Sequence, residues 1–205
     1  SPLNTDHSAN LGRLYRFWGD ATTDPQLRQE RYETALDFQT QAVELSPNLA
    51  HLHAERGLTL VAMGRTDEAE AAFAHAASLD PKYPSTFLYW GEMLLQQQRF
   101  DDAAVQYQRA LELDRNLVQA HSALGYIYSH QGRLPEALQE NLIAAQLAPQ
   151  DFATRRNLTL LYADLGQIDQ ALQQAELALQ LAPEDQKPQM EQIIQQLRQR
   201  SQSGQ

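Results

Sequence analysis

Apolar residues recur along this chain at helical spacing, and the pattern itself recurs. Over residues 5–20 (TDHSANLGRLYRFWGD), Leu11, Leu14, Tyr15 and Trp18 fall on one helical face. From Ala120 to Asp151 the chain reads AHSALGYIYSHQGRLPEALQENLIAAQLAPQD, two helical patterns joined by Gly132 and closed by Pro149. Steps of 34 residues lead from Ala137 back through Ala103 and Ala69 to Ala35, and forward to Ala171. The same step links Pro47, Pro81, Pro149 and Pro183, with Arg115 in the remaining slot. A period held over five units is an architecture: each unit needs a neighbour to cover its apolar stripe.

The spacing predicts helix pairs over 50–63 and 67–79, 84–97 and 101–113, 118–131 and 135–147, and 152–165 and 169–181. Gly64, Gly132 and Gly166 supply the turn within a pair, where positive φ is easily adopted, and Gln98 makes the corresponding turn costlier. Asp67, Asp101 and Asp169 open the second helices, where a carboxylate can cap free N–H groups, and Pro135 takes a first-turn slot. The first unit is longer. Pro2 to Pro47 is 45 residues, 11 beyond the period, which predicts a longer loop and about two more turns on its second helix. Asp24-Pro25 reads as the N-cap of that helix, which runs to Leu45. This extension shields the end of the stack or serves as a partner-specific arm. Pro2 itself reads as the close of an earlier unit. Near the other end, Met190, Ile193, Ile194 and Leu197 form one stripe over 185–200, the pattern of a terminal capping helix or a short coiled-coil seam. Ser201 to Gln205 are expected to fray.

Composition narrows the chemistry. The chain has 16 Lys and Arg against 26 Asp and Glu, a formal charge of -10, which repels phosphate backbones and argues against nucleic acid as a partner. Cysteine is absent, which removes disulfides, thiolate zinc sites and thiol nucleophiles, and leaves the compartment open. No apolar run is long enough to insert directly into a membrane. His51 and His53 stand two apart on one helix and so face different ways, and no phosphate loop or HExxH is present. Ser129 and His130 are adjacent, which does not aim a nucleophile at its base. No enzyme activity, metal or cofactor is expected.

The repeat resembles the tetratricopeptide repeat. The small residue of its first helix matches Gly12, Gly57, Gly91 and Gly125, with Thr159 departing. The preceding large residue matches Leu11, Trp90, Leu124 and Leu158, with Arg56 departing, and the following aromatic matches Tyr15, Tyr128 and Tyr162, replaced by Leu60 and Leu94. The second-helix alanines are Ala35, Ala69, Ala103, Ala137 and Ala171, followed seven residues on by Ala42, Ala76, Ala110, Ala144 and Ala178. The resemblance implies an all-α, right-handed superhelical solenoid of helix–turn–helix repeats with a C-terminal capping helix. It treats 1–205 as one array, with units at about 5–49, 50–83, 84–117, 118–151 and 152–185, and the cap at about 186–200. The opening LNTDHSANLGRLYRFW also resembles the soluble tetratricopeptide tail of bacterial O-antigen ligase or polymerase membrane proteins.

In the family, the second, fifth, ninth, twelfth and thirteenth positions of a unit line the inner wall. Carried over, these include Arg13, Arg16 and Phe17, then His51, Leu58 and Val61, then Ser85, Leu88, Glu92 and Leu95. The later units contribute Gln119, Ser122, Tyr126, Ser129 and His130, then Arg156, Leu160 and Asp164. The resemblance therefore implies a scaffold holding a protein or peptide in its groove, on an apolar middle flanked by arginines. The alternative is a structural, oligomerising or regulatory tail, in which a homo-oligomer covers the same residues. The carboxylate clamp of chaperone-binding members is missing, since Glu92 stands where it would want Asn.

Overall fold

Ala35, Ala69, Ala103, Ala137 and Ala171 are fully buried, and so are Ala42, Ala76, Ala110, Ala144 and Ala178. Small side chains at both columns let paired helices approach closely, and larger neighbours fill the notches. The computed structural model describes residues 4–203 and is all-α: eleven helices and no strand among the described residues. The reading of Pro2 lies outside the described residues.

The chain divides into two compact units at Arg115, the residue in the proline slot, where the sequence reading has one array. Unit 1 comprises α1 (Thr5–Asp20), α2 (Pro25–Leu45), α3 (Ala50–Ala62), α4 (Thr66–Leu79), α5 (Pro84–Gln96) and α6 (Phe100–Leu113). They pair as α1 with α2, α3 with α4 and α5 with α6, and successive pairs touch through α2–α3, α4–α5 and α3–α5. Unit 2 comprises α7 (Val118–His130), α8 (Leu134–Leu147), α9 (Phe152–Asp164), α10 (Ile168–Leu181) and α11 (Lys187–Ser203). Here α7 pairs with α8, α9 pairs with α10, the two pairs meet through α8–α9 and α7–α9, and α11 packs on α10.

Turns within the pairs are built alike. Gly64, Gly132 and Gly166 adopt φ of 72–73°, and the next N–H reaches back six residues, as in Arg65 N–H to Leu60 O and Arg133 N–H to Tyr128 O, both 2.9 Å. This closes the first helix on its own backbone. Gln98 adopts φ 60° in the equivalent turn, the left-handed conformation that a side chain disfavours.

That turn also moves the expected helix starts. The second helices begin one residue earlier than their aspartates suggest, with Arg65, Arg99 and Gln167 at the N-caps and no side-chain cap bond. The backbone turn starts the helix, and Asp67, Asp101 and Asp169 sit in the first helical turn, where charge favours the positive helix end. Asp24 does cap α2, accepting from the Leu27 N–H at 2.9 Å. The long first unit spends its extra residues on helix rather than loop. α2 has 21 residues against 14 in α4, and α1 has 16 against 13 in α3.

In α11, Met190, Ile194 and Leu197 are buried against the Ala171, Ala175 and Ala178 column, while Ile193 is half-buried beside them. The helix continues through Ser203, past the residues expected to fray; 204–205 lie outside the described residues. The longer helix keeps its late carbonyls in backbone hydrogen bonds. Among the described residues no helix is long and apolar enough to cross a membrane.

Candidate functional site

The sequence-derived wall residues fall in both units. In unit 1, Arg13 reaches from α1 to Glu55 on α3 at 3.0 Å, and Arg16 pairs with Asp20 at 3.2 Å. Leu58 and Leu95 are half-buried and Glu92 is exposed. Leu88, expected as an exposed apolar anchor, is 8% exposed and belongs to the core. The reason lies in its place in the repeat. The fifth position is buried at Ala54 as well, and half-buried at Ser122 and Arg156, where a long side chain can carry its charge outward. Phe17 is the most open aromatic of this wall, 65% exposed.

Unit 2 brings more of the expected residues together. Tyr126, Ser129 and His130 on α7 line a cleft of about 340 Å³ with Arg156 and Leu160 on α9. Tyr126 and Leu160 are exposed, and the Tyr126 ring lies 4.4 Å from that of His130. The Arg156 guanidinium sits 5.8 Å from the Phe152 ring. Asp164, at the far end of α9, completes the charged lining.

Three lining residues were not among the sequence candidates: Asn141 on α8, and Gln189 and Ile193 on α11. Asn141 had a readable signal. It holds the second-helix slot that Phe73 and Tyr107 hold in the preceding repeats, a polar residue in an aromatic column. Gly125 makes room for it; a Cβ there would lie 1.9 Å from the Asn141 Nδ2. That Nδ2 donates to Ala137 O at 2.9 Å, while the buried Oδ1 has no donor. Gln189 and Ile193 carried no signal, because α11 stands outside the period.

A second cleft in unit 2, about 570 Å³, opens between α10 and α11 and is lined by Leu179, Ile194, Glu176, Glu191 and a series of glutamines. It is the larger of the two, but lacks an aromatic side chain and a buried unpartnered polar atom.

Histidines elsewhere are structural. His53, 6% exposed, donates its Nε2–H to Pro47 O at 2.8 Å and meets the His75 ring at 4.5 Å. Burial holds its pKa below the usual imidazole range. His121 donates Nδ1–H to Glu140 at 2.6 Å. Burial pushes the Tyr107 phenol far above its ordinary range, consistent with a ring that packs under Gly91. Among the described residues, no group of three or more His, Cys, Asp or Glu side chains is placed to hold a metal ion.

Family models match three stretches: one described as "TPR repeat" over residues 91–132, and one described as "Tetratricopeptide repeat" over 50–83 and 157–185. Together they cover about half of the chain. Among solved structures, the chain is similar to the MamA protein, at 19% identity and TM-score 0.69, covering 90% of this chain and 94% of that one. It is similar to PilF of Pseudomonas aeruginosa, at 17% identity and TM-score 0.73, covering 88% and 79%. It is also similar to YrrB, described as a TPR protein with an unusual peptide-binding site, at 24% identity and TM-score 0.63, covering 83% and 86%. At these identities the likeness concerns the fold. No curated protein sequence is significantly similar to the chain. None of these matches supports the resemblance of the opening stretch to O-antigen ligase tails.

Proposed function

The chain belongs to the tetratricopeptide repeat family, and from that premise we propose that unit 2 is a protein-interaction module holding a peptide or protein segment in the cleft between α7 and α9. One observation carries this reading. Tyr126, Ser129, His130, Arg156 and Leu160, drawn from two helices a repeat apart, share one concave surface with a buried polar group at Asn141. An aromatic and an aliphatic side chain, both exposed, supply anchors that a ligand can desolvate. The overall charge of -10 favours a protein partner over nucleic acid. The role is binding, and no catalytic step is assigned to any residue. Leu58, Leu95, Arg13 and Arg16 of unit 1 form a separate stretch of wall whose arginines are already engaged by Glu55 and Asp20.

The test is retention of peptides from a random library by the full chain. Tyr126→Asp and Leu160→Asp each place a charge where the anchors dock, at exposed positions, so helicity by circular dichroism should not change. Both variants are expected to lose retention. Retention equal to that of the unsubstituted chain, with helicity intact, would remove the cleft from consideration.

A further inference from the structure

The Oδ1 of Asn141 is a buried acceptor without a donor, on a residue only 1% exposed that lines the unit 2 cleft. Its orientation is dictated by its own helix. The Ala137 carbonyl can only accept, so the amide turns Nδ2 toward it and leaves the oxygen over. Such a group needs an explanation, because the folded chain gains nothing from it. Gln39, in the equivalent slot of the first repeat, also leaves its oxygen unpartnered, but its Nε2 donates to Glu55 O on the next helix pair and so ties α2 to α3. Asn141 makes no such tie, since its Nδ2 bonds a carbonyl four residues back on α8. Phe73, Tyr107 and Ala175 show that the slot accepts an apolar residue.

The charges of the cleft are also left over. Arg13, Arg16, Arg65, Arg99, Arg109 and Arg133 each pair with a carboxylate. Among the described residues, neither Arg156 nor Asp164 carries an ion pair, and both line the cleft. They stand eight residues apart on α9, about 12 Å along the helix axis. An extended chain covers that distance in about four residues.

We propose, resting on the cleft reading above, that the ligand is an extended peptide whose main-chain N–H donates to Asn141 Oδ1. An acidic residue of the peptide lies against Arg156, and a basic residue about four positions away lies against Asp164. Main-chain recognition fixes the register, and the two charges fix the direction of the bound chain.

The experiment screens a positional-scanning library of octapeptides against the full chain, then remakes the best binder with a single N-methyl group at each amide in turn. The expected sequence preference is one acidic and one basic residue about four apart, and exchanging them should weaken binding at least tenfold. In the double variant Arg156→Glu, Asp164→Arg, the exchanged peptide becomes the better one. One N-methyl position should cost at least tenfold, and that penalty should vanish in Asn141→Ala, a substitution with a precedent in the fold at Ala175. An N-methyl penalty unchanged in Asn141→Ala, or absent throughout, overturns the inference. If Tyr126→Asp still abolishes binding in that case, the cleft reading survives alone. If no octapeptide binds, or if Tyr126→Asp leaves binding intact, both fall.

Discussion

The Phe73 ring stands 2.7 Å from the point where a Cβ would sit on Gly57. The same exchange of volume between facing helices recurs one period at a time. Tyr107 lies under Gly91, Asn141 under Gly125 and Gln39 under Gly12. In the fifth repeat the first helix carries Thr159 instead of glycine, and the second-helix slot holds Ala175. Each pair keeps the interhelical space filled while changing which side fills it.

Gly57→Ala and Gly91→Ala should therefore differ in effect. Replacing helical glycine by alanine gains about 1 kcal/mol of helix propensity, while overpacking costs about 1–3 kcal/mol. At Gly57 the added methyl meets three ring atoms of Phe73, within 3.0 Å, and Phe73 is fully buried with nowhere to retreat. At Gly91 the Tyr107 ring atoms lie at 3.1 Å, so a shift of a few tenths of an ångström suffices. Gly57→Ala is expected to destabilise by about 1–2 kcal/mol and Gly91→Ala to stay within about 0.5 kcal/mol of neutral. Urea midpoints measure both, and equal shifts would contradict the volume argument.

The fifth repeat offers the reverse experiment. Ala175→Phe puts a ring against a helix that already carries Thr159, and should destabilise by about 1–3 kcal/mol. Adding Thr159→Gly restores the arrangement seen at Gly57 and Phe73. A double-mutant cycle should show a favourable coupling of at least about 1 kcal/mol. Simple additivity would mean that the two positions do not share space.

Gln98→Gly should stabilise the chain. A residue with a side chain at φ 60° loses about 1–2 kcal/mol to left-handed crowding, and glycine returns about 0.5–1 kcal/mol of that through the freer unfolded chain. The net expectation is a gain of about 0.5–1 kcal/mol, read as a higher urea midpoint. A lower midpoint would show that the Gln98 side chain contributes more than its backbone costs.

Much of this fold is legible in the repeat, because the 34-residue step marks the positions where helices touch. Ala69 and Ala103 could be placed in the core by counting alone. Counting fails where a side chain's length decides its fate, as with buried Leu88 against half-buried Arg156 at one repeat position. It fails by one residue at the second helices, since a backbone turn at Gly64, and not the Asp67 carboxylate, starts α4. The cleft depends on Ile193 turning out of the α11 stripe toward Tyr126 and Leu160, and no periodicity constrains a helix that occurs once. Asn141 lay in plain view, and what was missing was its partner Gly125, which gives a polar side chain in that column a place beside the cleft.

His53 gives the chain a pH-sensitive point in unit 1. Burial is the main force lowering its pKa, the charges of His75 and Arg56 push the same way, and the hydrogen bond to the Pro47 carbonyl opposes them. With the folded value below the unfolded one of about 6.5, the unfolded chain takes up the proton first as pH falls. The stability associated with neutral His53 is complete above that unfolded value and is lost as pH drops toward the folded one. His53→Gln keeps a donor for the Pro47 carbonyl and removes the titration. The unsubstituted chain should lose urea resistance more steeply than His53→Gln between pH 7.5 and pH 5, and the two curves should run parallel above pH 7.5. Parallel curves over the whole range would place the acid sensitivity elsewhere, and a steeper loss in His53→Gln would mean that protonated His53 is stabilised in the fold despite its burial.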